Sequence, residues 1–206
     1  MGSAIQDNEI LKIYHLQSAA SGFQKESAVL IGGKAHTAQD LGHAAEIYAS
    51  IRKEYGGTGS RVRWSTPLAE FLDKEALELS SDVSPEEVIR LCSMAQVGLT
   101  EADYGIAETG SLVLESGPGR SRLPSPLPPM QVALLPENRI LPSLISFTER
   151  YADPKESARL RDMACLTFIS GPSRTADIEM TLTLGVHGPQ ALHVILIRDG
   201  SPIHVQ

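Results

Sequence analysis

Two apolar runs near the end of the chain, residues 164–169 and 191–197, constrain the fold more than any other feature. Between them lie a glycine-containing turn and a segment, 176–184, of helical length. Strand, turn, helix, strand is the βαβ pattern of a parallel sheet, because two parallel strands need a long crossover to join them. The rest of the chain carries the same mixture. Leu41, Ala44, Tyr48, Ile51 and Tyr55 recur at three- and four-residue steps, which places them on one helical face. Thr37 is the expected N-cap of that helix and Gly56-Gly57 its stop. Thr66-Pro67 opens a second helix with proline at its first position. Ser84 and Glu87 have capping-box spacing at the start of a third, with Val88, Leu91, Cys92 and Ala95 as its apolar positions and Gly98 as its end. A helix is also expected over residues 5–20, with Ile10, Ile13, Tyr14 and Gln17 on a mixed face, and another over 140–151. Short strands are expected at 61–64, 104–107, 111–114 and 130–135, while 153–162 reads as charged and exposed. This intermingling predicts a layered α/β domain with a mainly parallel sheet. In such sheets ligands gather outside the carboxyl ends of the strands. The 206 residues suit one domain, with a helical part over about 1–98 and an α/β part over about 99–206.

Composition removes several function classes. With 42% hydrophobic, 21% charged and 5% aromatic residues, the chain can bury a core and does not resemble a disordered segment. A formal net charge of -7 argues against a nucleic-acid partner, which would call for basic surface. Cys92 and Cys165 sit in separate apolar stretches and read as buried, reduced thiols, with a disulfide between them left open. Without a CxxC or a paired histidine they make neither a structural zinc site nor a cysteine-ligated iron–sulfur cluster. The six histidines lack metal-ligand spacing, so no metal is expected. No basic region followed by an apolar run opens the chain, and no stretch has the length of a membrane span, so the expected compartment is the cytoplasm.

Three segments carry more glycine, proline and polar side chains than connection requires. In Ile169-Ser170-Gly171-Pro172-Ser173-Arg174-Thr175-Ala176, a strand runs into a turn and then into the expected helix. Free backbone N–H groups at such a junction attract anions. Ser170, Ser173 and Thr175 add hydroxyls, and Arg174 adds a fork suited to carboxylate or phosphate. It is not a P-loop, since the GxxxxGK[ST] spacing is missing. The competing reading makes Thr175 only a helix cap. In Ala107-Glu108-Thr109-Gly110-Ser111, Glu108 lies between apolar runs, where a carboxylate can serve as acid, base or nucleophile. The plainer reading is a turn residue bonded to nearby N–H groups. In Gly185-Val186-His187-Gly188-Pro189, His187 belongs to a turn before the last strand, on the side opposite Arg174 if the βαβ reading holds. Arg120 and Arg122, in the Gly/Pro/Ser-rich loop 116–129, are positioned to reach an anionic ligand or simply to be solvated. Glu101 and Asp103 raise the possibility of paired-carboxylate chemistry, with nothing to set their separation.

Residues 102–114, 169–179 and 185–189, with Leu127-Pro128-Pro129, together resemble the lactate utilization protein C family, also called the LUD-domain family. They appear in the expected order over about residues 95–198. Gln131 stands where members often carry His. The resemblance implies a fold like that of ribose-5-phosphate isomerase, glucosamine-6-phosphate deaminase and the CoA transferases. It also implies a part in bacterial L-lactate oxidation to pyruvate, alongside iron–sulfur oxidoreductase partners that hold the clusters, this chain binding no cofactor itself. The alternative is a CoA-transferase-like or sugar-phosphate-type enzyme or sensor for an anionic small molecule. Its site would comprise Thr109, Gly110, Gly171, Pro172, Ser173, Arg174 and Thr175, with Arg120, Arg122 and His187 as further candidates. A glutamate is the nucleophile in CoA transferases, and fold-level analogy puts Glu108 in that role.

Overall fold

Val97–Glu101, Met130–Pro136 and Ala191–Ile197 are almost entirely buried along their length. Strands with both faces covered read as continuous apolar runs, which is why they sit at the centre of a parallel sheet. The structure, a computed structural model, describes residues 33–55, 57–176, 182–185 and 187–198. The expected helix over 5–20 lies outside these residues.

The described strands are β1 (Lys34–Ala38), β2 (Arg61–Trp64), β3 (Leu77–Leu79), β4 (Val97–Glu101), β5 (Tyr104–Ile106) and β6 (Ser111–Ser116). They continue with β7 (Met130–Pro136), β8 (Ile140–Leu141), β9 (Cys165–Ile169), β10 (Arg174–Ala176), β11 (Leu182–Leu184) and β12 (Ala191–Ile197). The helices are α1 (Leu41–Glu54), α2 (Pro67–Leu72), α3 (Pro85–Met94), α4 (Leu144–Glu149) and α5 (Pro154–Asp162). One six-stranded sheet has the order β1-β12-β7-β4-β2-β3, and every pairing in it is parallel. A second, four-stranded sheet has the order β8-β5-β6-β9, with β6 antiparallel to both neighbours.

Apolar side chains divide by strand parity into layers. Ala44, Tyr48 and Ile51 of α1, with Leu68, Ala69 and Leu72 of α2, pack on Leu99, Val132, Leu134 and Ile195 of the large sheet. The opposite parity, Ala133, Leu135, Val194 and Leu196, meets Leu112 and Leu114 of the second sheet. The outer face of that sheet, Tyr104, Ile106 and Val113, is covered by Phe147 of α4. The layers therefore run helices, parallel sheet, mixed sheet, helix. Residues before 98 supply β1, β2 and β3 as well as three helices.

Several local expectations are corrected. The described ends of the segment 176–184 are strand rather than helix, because β10 and β11 pair antiparallel, and residues 177–181 lie outside the described residues. The βαβ reading of 164–197 fails. β9 pairs with β6 in the second sheet, and β12 lies in the large sheet between β1 and β7. Thr37 does not cap α1, since it is paired with Leu196 in β1; the Asp40 carboxylate accepts the His43 N–H at 2.8 Å instead. Gly98 does not end α3, which stops at Met94; it lies within β4, where the Pro124 carbonyl oxygen passes 1.8 Å from the site of a Cβ. Residues 140–151 split into β8, α4 and the start of a 3-10 turn, Arg150–Ala152. Charged residues 154–162 form α5, capped by Asp153. The expected caps Thr66 and Ser84 are in place. Cys92 is free and buried, and burial pushes its thiol up to about 11; Cys165 is free but half-buried.

Candidate functional site

The antiparallel register of β6 and β9 decides what meets at their open ends. Leu112 pairs with Ile169, so Ser111 and Ser170 stand opposite one another one step beyond the ladder. Their hydroxyls are 2.6 Å apart, and the Thr109 hydroxyl donates to Ser111 Oγ at 2.8 Å. A chain of three hydroxyls thus joins the Glu108–Gly110 turn to the strand end before Gly171. Gly171 has φ 138, a conformation that side chains disfavour, and it turns the backbone sharply out of β9. Ser173 then becomes a junction. Its N–H donates to Pro189 O at 2.9 Å, its carbonyl accepts from Gly185 N–H at 3.0 Å, and its hydroxyl accepts from His187 N–H at 3.2 Å. The N–H groups of Gln190 and Ala191 donate to Pro129 O, which ties this junction to the 116–129 loop.

Three segments far apart in sequence therefore converge. Between them opens a cleft of about 500 Å³, with Arg122, Gln131, Thr167, Phe168, Ser170, Ser173 and His187 in its lining. Among the described residues no carboxylate lines it. Arg122 and His187 are exposed, and the side chain of neither makes a hydrogen bond or ion pair with another described residue. In a chain of net charge -7, such a cleft is a local exception that favours an anion. At its floor Gln131 is fully buried; Nε2 donates to Thr100 Oγ1 at 3.0 Å, and Oε1 has no hydrogen-bond partner.

Of the residues singled out from sequence, Gly171, Ser173, His187 and Arg122 line this cleft. Pro172 is buried between Gly171 and Ser173. Arg174 and Thr175 lie on β10, so neither occupies a helix N-terminus, and the dipole argument for an anion at that turn falls. His187 is beside the Ser173 turn rather than across the sheet from it, because the intervening hairpin returns the chain to its starting point. Thr109 reaches the cleft only through the hydroxyl chain, beside the positive-φ Gly110. Glu108 does not line it. It is an exposed turn residue whose carboxylate accepts the Leu144 N–H at 3.1 Å, while its own N–H donates to Pro142 O.

Arg120 does not line this cleft. Both its terminal nitrogens bind Asp103, at 2.9 and 2.8 Å, and its guanidinium lies 4.3 Å from the Trp64 ring centroid. Glu101 is held by Arg139 at 2.7 Å, so the two carboxylates noted in the sequence are each paired with arginine rather than with one another. Burial, with the neighbouring Asp103 charge, pushes Glu115 up. Sequence reasoning missed Gln131, Thr167 and Phe168 as cleft residues. Strand periodicity marks such positions only as interior or exterior. Among the described residues no group of three or more His, Cys, Asp or Glu is placed to hold a metal ion, and no helix is long and apolar enough to cross a membrane.

The LUD domain family model matches residues 24–197. Lactate utilization protein C of Halalkalibacterium halodurans is 37% identical over 156 residues, 73% of this chain and 67% of that protein. Its namesake in Shouchella clausii is 33% identical over 132 residues, 64% of this chain and 57% of that protein. Uncharacterized protein YkgG of Escherichia coli is 34% identical over 162 residues, 76% and 70% of the two chains. A crystal structure of a DUF162 family protein from Deinococcus radiodurans superimposes with TM-score 0.54 at 22% identity, covering 90% of this chain and 95% of the other. That likeness concerns the fold.

Proposed function

The chain belongs to the LUD-domain family, and from that premise we propose that it serves bacterial lactate utilization as a cytoplasmic subunit acting with iron–sulfur partners. In this reading L-lactate is oxidised to pyruvate by the assembly, and the clusters that carry electrons reside in the partners. The observation that carries it is the set of relatives named for lactate utilization, at 33 to 37% identity. The test is recovery of the tagged chain from its native host grown on lactate. An iron–sulfur protein is expected to accompany it, and the purified chain alone is expected not to reduce a dye with lactate. Lactate-dependent dye reduction by the chain alone would overturn the proposal.

Arg122 and His187, whose side chains have no partner among the described residues, favour a second reading, in which the chain is a CoA-transferase-like or sugar-phosphate-type enzyme or sensor. Arg122 would hold the anionic group in the cleft; Glu108, which does not line it, would take no part. A ligand at a hundredfold excess over its dissociation constant stabilises the native state by about 2.7 kcal/mol. A screen of CoA esters and sugar phosphates by thermal unfolding should find such a shift, and Arg122→Met should abolish it. A shift undiminished in Arg122→Met would remove the cleft from consideration.

A further inference from the structure

A second cavity, of about 370 Å³, opens at the carboxyl ends of β2, β4 and β7, on the crevice where open parallel sheets receive ligands. Four arginines from four different elements line it: Arg120 from the loop after β6, Arg139 after β7, Arg150 after α4, and Arg159 from α5. Glu101 and Asp103 are the carboxylates in the lining. From behind, Glu115 holds Arg159, and Glu156 approaches Arg150 and Arg159 at 3.6 and 3.9 Å.

A network that served only stability would close its guanidinium forks on carboxylates. This one leaves them open. Arg120 has both terminal nitrogens engaged, while its buried Nε has no partner among the described residues, and 24% of its side chain is exposed. Arg139 bonds to described residues only through Nη1, to Glu101 and to Ala102 O, and is 39% exposed. The Arg150 side chain makes no hydrogen bond to a described residue; it pairs with Glu156 only at 3.6 Å, is steered by the Tyr104 ring, 4.7 Å from its guanidinium carbon, and is also 39% exposed. Arg159 commits Nη2 to Asp103 and Glu115 and leaves 48% of its side chain exposed. Donors without a partner among the described residues therefore remain on arginines that line a cavity of metabolite size. Guanidinium forks match oxygens held in a plane or at the corners of a tetrahedron.

We propose that this cavity binds a compact organic dianion, a phosphate monoester or a dicarboxylate, through Arg139, Arg150 and Arg159. Asp103 and Arg120 are its rigid floor: the bidentate pair, the Glu115 N–H at 2.7 Å and the Trp64 face hold that corner still. Glu101 orients Arg139. The site is separate from the signature-loop cleft, since no described residue lines both, and it stands or falls independently of the lactate reading.

The experiment is calorimetric titration of the full chain with inorganic phosphate and, separately, with malonate, using glycerol as the uncharged control. Saturable binding of at least one dianion is expected, weakened tenfold or more in Arg150→Met and unchanged in Arg122→Met. Phosphate alone assigns a phosphate ester, malonate alone a dicarboxylate, and both assign the shared dianion. Arg139→Met is expected to weaken binding too, but it strands Glu101, so Arg150→Met, which breaks no hydrogen bond to a described residue, is decisive. Absence of saturable binding by either dianion, or binding indifferent to Arg150→Met in a folded variant, overturns the proposal.

Discussion

Gly98→Ala tests whether the loop that carries Arg122 is laid on β4 as described. A Cβ on Gly98 would stand 1.8 Å from the Pro124 carbonyl oxygen, 2.8 Å from its carbon and 3.1 Å from Pro128 Cγ. Comfortable separation is about 3.5 Å, so strand or loop must withdraw by more than 1 Å, on the order of the overlap itself. The strand has little freedom, because β4 is paired on one side with β7 and on the other with β2. The loop is pinned by Trp64 Nε1 donating to Ser121 O at 2.7 Å, and by the Ser125 and Leu127 N–H groups donating to Arg122 O and Leu123 O. Overpacking among flexible side chains costs about 1–3 kcal/mol. Here the obstacle is backbone, so the expected loss is about 3 kcal/mol, at the top of that range. With a urea slope of about 2 kcal/mol/M, the unfolding midpoint should fall by about 1.5 M. Gly117→Ala is the matched control, because no atom lies within 4 Å of its Cβ position; its midpoint should move by under about 0.5 kcal/mol equivalent. A Gly98→Ala midpoint equal to the parent's would refute the close approach, and an equal loss in both variants would refute its cause.

Asp73 is 4% exposed and accepts from Tyr48 OH at 2.7 Å and Arg61 Nε at 2.6 Å, which joins α1 to the end of α2 and the start of β2. Asp73→Ala strands both donors and should cost about 3–5 kcal/mol in denaturant unfolding; a loss below about 1 kcal/mol would show that the cluster is not a tie. His193, 1% exposed, is held down to about 4 by burial first, then by His36 and Lys34, with Glu54 opposing; His36 Nε2 lies 3.1 Å from its Nδ1 and Tyr55 OH 3.4 Å from its Nε2. The unfolded chain therefore takes up this proton first. The stabilisation is complete above pH about 6.5 and declines as pH falls toward about 4, with about 2 kcal/mol lost at pH 5. His193→Gln should flatten that window in a pH series of unfolding midpoints, and an unchanged slope would remove His193 as its source.

Local chemistry was readable where neighbours in sequence are neighbours in space. Ser84 and Thr66 cap the helices they were expected to cap, and the strands expected at 61–64, 130–135 and 191–197 are strands. The family signature was equally local, since its segments are contiguous. Pattern failed at 176–184, where a segment of helical length begins and ends as paired strands, and at Thr37, which lost its capping place to strand pairing. Intrinsic preference is a weak prior that tertiary pairing overrides.

The sequence by itself determined the α/β class, the family and the identity of the loops that carry polar chemistry, because periodicity, caps and motifs are properties of neighbouring residues. Only the tertiary structure decided that those loops meet, that His187 stands beside Ser173, and that the arginine cavity and the signature-loop cleft share no described lining residue. In the arginine cavity Arg120, Arg139 and Arg159 reach acids 17, 38 and 56 positions away in sequence. Such pairings follow from strand order and register, which are set by how whole layers bury their apolar faces rather than by any local stretch of chain.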